Sequence, residues 1–189
     1  VMSPRDLCTL EFFDRILESG VSVLKIEGRG RSADYVAHVV RVYRAALDQW
    51  MRGEPLRPGQ LAKWEEELAS VFNRGFWKGG YYLGNKLGEW AACGDSQATV
   101  RKEFVGRIVN YYKKPEVAEL LMTSGELVPG DRILVTGDTT GAQELKVDEF
   151  LLDGVSVNPA KKGMDVTFLC PLRLRTNDKV YKLMERNRS

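Results

Sequence analysis

Residues 21–32 read VSVLKIEGRGRS, and the first half of the chain is organised around this stretch. Its first six positions hold four aliphatic side chains and one lysine, which predicts a buried strand of a parallel sheet. Gly28 and Gly30 then permit a sharp turn of the backbone. In α/β folds the carboxyl ends of such strands carry ligands and chemistry. Charged residues crowd that end, and they are the first candidates for a functional site: Lys25, Glu27, Arg29 and Arg31.

The chain on either side of this strand has helical periodicity. A Ser-Pro-Arg-Asp segment at residues 3–6 is typical of a helix start, and apolar residues then recur at helical spacing up to Gly20. The same spacing predicts helices over residues 36–50 and 60–71. Residues 1–72 are therefore predicted to be an α/β segment of the order helix-strand-helix-helix.

Residues 73–103 are rich in glycine and aromatic residues and then in polar residues, which predicts a connection followed by a linker. Two interpretations of its side chains stay open. They form a basic and stacking surface for single-stranded RNA, or they cover the seam between two domains. The residues concerned are Arg74, Trp77, Lys78, Tyr81 and Tyr82.

From residue 104 onward the pattern changes to short strands separated by turns. Runs of β-branched and aromatic residues predict six strands, at 105–111, 117–122, 132–136, 144–151, 166–170 and 179–184. No helical pattern lies between them, so residues 104–189 are predicted to form a small closed antiparallel barrel. The Gly-Asp-Thr-Thr-Gly segment at 137–141 lacks the ending of a phosphate-binding loop and is predicted to be a hairpin loop.

Composition sets loose bounds on function. Lys+Arg 28 against Asp+Glu 26 leaves a net charge of +2, less basic than a protein that binds nucleic acid chiefly through phosphates. No run approaches the roughly 18 apolar residues of a membrane span, and no signal peptide is recognised. The three cysteines do not form a disulfide framework. We therefore expect a cytoplasmic protein with no membrane partner.

Catalytic signatures are missing from the sequence. The chain has one histidine, His38, and it falls within a predicted helix with no partner signature around it. No Ser/His/Asp arrangement, HExxH motif or paired cysteines with metal spacing is present. Protease chemistry therefore does not follow from the residues alone.

Three segments together resemble the U-32 peptidase family, also called collagenase-like peptidases. They are SPRDLC at 3–8, GVSVLKIEGRGRS at 20–32 and YVAHVVRVYRAALD at 35–48, and Gly30 stands where the family often has methionine. The Arg-Gly-Phe-x-x-Gly pattern at 74–79 also agrees with the family. GELVPGDRILVTG at 125–137 is similar to the second-domain barrel of translation elongation factors, a barrel that U-32 members carry at the carboxyl end. The resemblance implies the end of a TIM-like catalytic barrel followed by this small barrel.

The resemblance also implies roles for the charged strand end. Lys25, Glu27 and Arg29 line the mouth of the catalytic barrel, where Glu27 acts as an acid or base or orients a cation. Arg29 can clamp a carboxylate or a phosphate in two hydrogen bonds. The alternative is that the same three residues form a structural ion network that closes the barrel.

Cys8 has two interpretations as well. In several family members the cysteine of this segment is one ligand of an iron–sulfur cluster whose other ligands lie earlier in the barrel, so a cluster would belong to the full-length parent. The alternative is a small apolar residue packed at a helix start. Cys8 by itself binds no cluster, so we expect no cofactor in this chain alone.

Three functions follow as expectations from the resemblance. The chain is part of a collagenase-like peptidase and inactive in isolation, part of an iron–sulfur-dependent RNA-hydroxylation factor, or a non-catalytic module that binds RNA or protein. The lone strand needs partners, which we expect from the remainder of the catalytic barrel or from a second copy of the chain.

Overall fold

A computed structural model describes residues 4–78, 90–91 and 96–186. It divides the chain into two compact units, Val1–Thr99, called unit 1 below, and Val100–Ser189, called unit 2. No helix among the described residues is both long and apolar enough to cross a membrane.

The described residues of unit 1 form three α-helices and one pair of short strands. The helices are α1 (Phe13–Glu18), which follows a 3₁₀ turn at Leu10–Phe12, α2 (Ala33–Met51) and α3 (Pro58–Ser70). Strands β1 (Asp6–Leu7) and β2 (Phe76–Trp77) pair in parallel. The predicted helices at 36–50 and 60–71 are thus confirmed. Their apolar faces form one core with α1: Cys8, Leu10, Phe13, Leu17, Val39, Val42, Ala46, Trp64 and Leu68.

The predicted buried strand at residues 21–26 is wrong. Residues 21–28 belong to no helix or strand, and their aliphatic side chains are exposed, Val23 by 82%. A buried parallel strand needs a neighbour on each side, and the described residues supply none at this position. The helix start predicted at Ser3 is also wrong, because Asp6 and Leu7 pair with β2 and helical structure begins at Leu10.

A polar contact joins α2 to α3 at the single histidine. His38 is buried, and its Nδ1 lies 3.1 Å from Arg41 Nη2. Arg41 in turn donates from Nε to Glu67 Oε1 of α3 at 2.6 Å. His38 is therefore a structural residue of the helix packing.

Unit 2 is an antiparallel β structure. Its strands are β3 (Val100–Tyr112), β4 (Val117–Met122), β5 (Glu126–Leu127), β6 (Arg132–Gly137), β7 (Gly141–Lys146), β8 (Phe150–Leu152), β9 (Val155–Val157), β10 (Ala160–Lys161), β11 (Asp165–Leu169) and β12 (Lys179–Glu185). Eight of them form one sheet in the order β7-β6-β12-β3-β4-β11-β8-β9, and β5 pairs with β10. The predicted hairpin loop at 137–141 joins β6 to β7.

The predicted closed barrel of six strands is not found. Among the described residues the eight-stranded sheet has two free edges, β7 and β9, and no ladder joins them. The described residues of this unit nevertheless share an apolar core that includes Val105, Ile108, Leu120, Val135 and Phe168. The supported architecture is a helical α/β unit followed by a unit with a large antiparallel sheet.

Candidate functional site

A cavity of about 890 Å³ opens in unit 1. Strand β1, the segment from Leu24 to Arg31, one face of α2 and the residues after α3 form its walls. We call its charged lining residues the charged wall: Asp6, Lys25, Glu27, Arg29, Arg31, Arg44 and Arg74. We call its apolar and aromatic lining residues the apolar wall: Leu7, Phe13, Ile16, Leu24, Ile26, Tyr35, Val39, Val40, Tyr43, Leu47 and Phe72.

Asp6 holds the charged wall together. Its Oδ1 accepts from Arg31 Nη2 at 2.8 Å and from Arg74 Nη2 at 3.1 Å, while Oδ2 accepts from the Arg74 backbone N at 2.9 Å. The Asp6 and Arg31 side chains are only 15% and 17% exposed. One carboxylate therefore fixes two guanidinium groups, which come from sequence positions 25 and 68 residues away.

Aromatic rings hold Arg31 in addition. Its Cζ lies 4.4 Å from the ring centroid of Phe72 and 5.1 Å from that of Tyr35. Such contacts favour a guanidinium that is partly removed from water. Burial raises the pKa of Tyr35, and the negative charge of Asp6 raises it further. Tyr35 is therefore neutral over the physiological range and available as a hydrogen-bond donor at the cavity wall.

The rim of the cavity is more open than this wall. Lys25, Glu27 and Arg29 are exposed, and Glu27 Oε1 accepts from the Arg29 backbone N at 2.7 Å, which shapes the turn at the rim. The side chains of Lys25 and Arg29 make no ion pair among the described residues. The rim thus offers two cations and one carboxylate to a bound molecule.

Tyr43 lies on the apolar wall, with its hydroxyl directed at Thr9. The Thr9 backbone N donates to Tyr43 Oη at 3.0 Å, and the ring packs edge-on against Phe13 at 5.3 Å between centroids. Burial, reinforced by the neighbouring Cys8, raises the pKa of Tyr43 to about 12.

This pKa predicts a loss of stability in strong alkali. The folded state favours the neutral phenol, so the contribution is complete below pH 10 and falls as the pH rises from 10 towards 12, on the order of 2 kcal/mol in total. Urea unfolding followed by tryptophan fluorescence at pH 9 and pH 11.5 measures it. Tyr43→Phe should show a smaller decrease than the wild type between these two pH values. An equal decrease in both proteins would contradict the assignment.

The structure brings five of the sequence-predicted residues together and separates the others. Lys25, Glu27, Arg29 and Arg31 line one cavity, and Arg74 joins them through Asp6. Lys78 instead pairs with Glu11 and, at 3.0 Å, with Glu65, and the hydrogen bond to Glu11 raises its pKa. Trp77 lies on β2 and does not line the cavity. Tyr81 and Tyr82 lie outside the described residues.

Sequence reasoning missed Asp6, Tyr35 and Phe72 as site residues. Asp6 has the spacing of a capping-box acid, and the two aromatics have the spacing of ordinary packing residues. The signal was indirect: Arg31 and Arg74 are two cations that a compact fold must compensate.

Cys8 fits an iron–sulfur cluster poorly in this chain. It is buried in the core of unit 1, and burial raises the pKa of its thiol, whereas cluster ligands are thiolates. Among residues 4–78, 90–91 and 96–186 no three His, Cys, Asp or Glu side chains are grouped to hold a metal. The described residues therefore hold no complete set of cluster ligands around Cys8.

Comparisons with known proteins identify a family model and several relatives that this chain resembles. Residues 1–92 match the family model described as Peptidase family U32. A Porphyromonas gingivalis protein named "Collagenase" is 41% identical over 186 residues, 98% of this chain and 44% of that protein. A Bacillus subtilis protein named "tRNA hydroxylation protein P1" is 34% identical over 119 residues, 63% of this chain and 28% of that protein.

Among solved structures, the C-terminal domain of a Geobacillus thermoleovorans protein described as a U32 peptidase aligns with a TM-score of 0.40 and 20% identity. The alignment covers 42% of this chain and 91% of that domain. This chain spans about half the length of the curated collagenases that it matches. The family match over residues 1–92, with a relative 41% identical along nearly all of the chain, shows that the chain belongs to peptidase family U32.

Proposed function

We propose that this chain is the carboxyl-terminal, substrate-binding portion of a collagenase-like peptidase and that the cavity of unit 1 holds the peptide. The observation that carries the proposal is the share of this chain that each relative matches. The P. gingivalis collagenase matches 98% of the chain, whereas the B. subtilis tRNA hydroxylation protein matches 63%. We infer that unit 2 assists by binding substrate or a partner, and that the protein is cytoplasmic.

The cavity suits an extended peptide in two ways. Its apolar wall, formed by residues such as Leu24, Ile26 and Val40, can cover aliphatic side chains. On its charged side Arg29 donates to backbone carbonyls or a carboxylate, and Glu27 orients a cationic group. Because Asp6 already fixes Arg31 and Arg74, this wall is organised before a ligand binds.

We expect binding without turnover from this chain alone. The described lining of the cavity contains no serine, cysteine or histidine that would pair as nucleophile and base. Glu27 is the one exposed carboxylate on the cavity rim, and it has no second catalytic group placed beside it among the described residues. We infer that the missing catalytic groups would come from outside this chain.

Substitutions on the rim test the proposal. Glu27→Gln and Arg29→Ala should each weaken binding of a fluorescein-labelled gelatin peptide by about ten-fold, since each removes a charged hydrogen bond worth roughly 1.5 kcal/mol. Fluorescence anisotropy measures the affinity. Arg52→Ala is the matched control, because Arg52 is exposed and pairs with Glu54 away from the cavity. Equal loss in all three variants, or cleavage of gelatin by the wild-type chain, would contradict the proposal.

The second candidate is part of an RNA-hydroxylation factor that depends on an iron–sulfur cluster in the full-length parent. The match to a tRNA hydroxylation protein at 34% identity favours it. Under this proposal Cys8 is one cluster ligand and the others come from outside this chain. Binding of transfer RNA in competition with the gelatin peptide at the same cavity would support it over the peptidase.

We also infer that residues 21–26 complete a sheet in the assembled protein. The exposed aliphatic side chains of this stretch that do not line the cavity, those of Val21 and Val23, would be covered by strands of the remainder of the catalytic barrel or by a second copy of the chain. A dimer in sedimentation analysis that Val23→Lys dissociates would identify the second copy. A monomer would leave the remainder of the barrel as the partner.

A further inference from the structure

The outward face of strands β3, β12 and β6 in unit 2 combines two contacting aromatic rings with several cations. Val105, Val180 and Val135 point into the core, as does Ile108. A register shift between Val180 and Tyr181 leaves one extra residue in β3 at this point, so Phe104 and Arg107 both point outward although they are three positions apart. Directly paired residues of antiparallel strands share a face, which places Phe104 beside Tyr181 and Arg107 beside Lys179. We call these outward residues, with Lys102 and Arg132, the sheet face.

Two aromatic rings lie at the centre of the sheet face. Phe104 and Tyr181 contact each other edge-on, with 5.6 Å between ring centroids and 67° between ring planes. Phe104 is nevertheless 42% exposed. A phenylalanine ring this exposed among charged side chains is typical of a surface that stacks on a ligand.

Cations flank these rings on both sides along the strands. Arg107 and Lys179 lie on one side, and Lys102 and Arg132 on the other. Arg107 and Lys179 are exposed and make no ion pair among the described residues. Lys102 and Arg107 lie at opposite ends of this part of β3, with Phe104 between them.

The pairing of the strands places cations directly opposite each other, and a bound anion would reduce their repulsion. Arg107 is directly opposite Lys179, and Arg132 is directly opposite Lys146. Like charges directly opposite each other destabilise a sheet. Arg132 is compensated by Glu144 at 2.9 Å and Lys146 weakly by Asp148 at 3.7 Å, whereas the described part of the chain places no such carboxylate at the Arg107–Lys179 pair. A bound phosphate between Arg107 and Lys179 would relieve their repulsion.

We propose that the sheet face binds a single-stranded nucleic acid. A base stacks on Phe104 and Tyr181, and the phosphates of neighbouring nucleotides contact Arg107 and Lys179. An acidic peptide would satisfy the cations but gives no reason for the exposed ring of Phe104 between them. The proposal concerns unit 2 alone and does not rest on the peptide-binding role of the cavity in unit 1.

Fluorescence anisotropy with a labelled 12-nucleotide oligouridine tests the site in the full chain. Phe104→Leu keeps apolar bulk but removes the ring face, and we expect it to weaken binding about five-fold or more, from the cost of losing one stacked base. The double variant Arg107→Ala/Lys179→Ala should reduce the slope of log affinity against log salt by about 1.4, which is 0.7 for each lost phosphate contact. Oligothymidine in a parallel titration distinguishes RNA from DNA as the natural ligand.

Lys161→Ala/Lys162→Ala is the matched control, because it removes two exposed cations of unit 2 that lie outside the sheet face. This control variant should bind the oligouridine with the wild-type affinity and with the same slope of log affinity against log salt. Three results would overturn the proposal: no binding at 50 mM salt, an equal loss in the control, or displacement of the oligonucleotide by an equally charged polyglutamate at the same concentration. A circular dichroism spectrum identical to the wild type is required of each variant before its affinity is compared.

Discussion

Asp6→Ala should lower the free energy of unfolding of unit 1 by about 3 kcal/mol, because removing one partner of a largely buried ion pair leaves the other charge uncompensated. In this case one substitution leaves two guanidinium groups, those of Arg31 and Arg74, without their shared carboxylate. All four tryptophans of the chain, Trp50, Trp64, Trp77 and Trp90, lie in unit 1. Urea unfolding followed by tryptophan fluorescence therefore reports on this unit selectively.

Asp14→Ala is the control for this measurement. Asp14 is a partly exposed acid of α1 whose side chain accepts only from the adjacent Arg15 backbone N, at 2.8 Å, among the described contacts. Its removal should cost less than about 0.5 kcal/mol, as surface substitutions do. If Asp6→Ala costs no more than this control, the charged wall of the cavity is not held by Asp6.

Gly106→Ala should destabilise unit 2 by at least about 3 kcal/mol, at the upper end of overpacking effects. A Cβ at this position would lie 2.1 Å from the backbone O of Leu121 in the adjacent strand and 3.0 Å from Leu120 Cδ1. The obstacle is a carbonyl of the β3–β4 ladder, which cannot rotate away as a side chain would. Hydrogen exchange of the amides in β4 and β12 measures the effect.

Gly154→Ala separates this steric effect from backbone strain. Gly154 has a φ of +80° and open space around the added Cβ, so alanine there should cost only about 1 kcal/mol for the left-handed conformation. A similar loss of protection in both variants would mean that close packing of β3 on β4 is not what requires glycine at 106.

The strand pattern of unit 2 could be predicted because alternation and turn residues are local signals. Five predicted strands correspond closely to β3, β4, β6, β11 and β12. The strand predicted at 144–151 is instead divided between β7 and β8. Val147 leaves the ladder because its backbone N and O bond to Asp131 and Gly130 of the preceding turn, at 3.1 and 2.7 Å. That exchange of partners depends on residues distant in sequence, so no local pattern reveals it.

For residues 21–26, by contrast, the local sequence pattern did not predict the structure. Their composition is that of a buried strand, but a strand exists only with hydrogen-bonded neighbours, and composition does not supply them. The rim residues Lys25, Glu27 and Arg29 could still be identified as site candidates, because they follow this run directly. Asp6 could not, since its role depends on the parallel pairing of β1 with β2, which brings Arg74 beside it.

Photocrosslinking tests most directly the claim that the cavity of unit 1 holds a peptide. A gelatin-derived peptide that carries a benzophenone is irradiated with the full chain, and mass spectrometry locates the adducts. We predict adducts within residues 24–31 and 72–74 that an excess of unlabelled gelatin removes. Adducts confined to unit 2, or none that gelatin competes for, would contradict the assignment of the cavity as the substrate site.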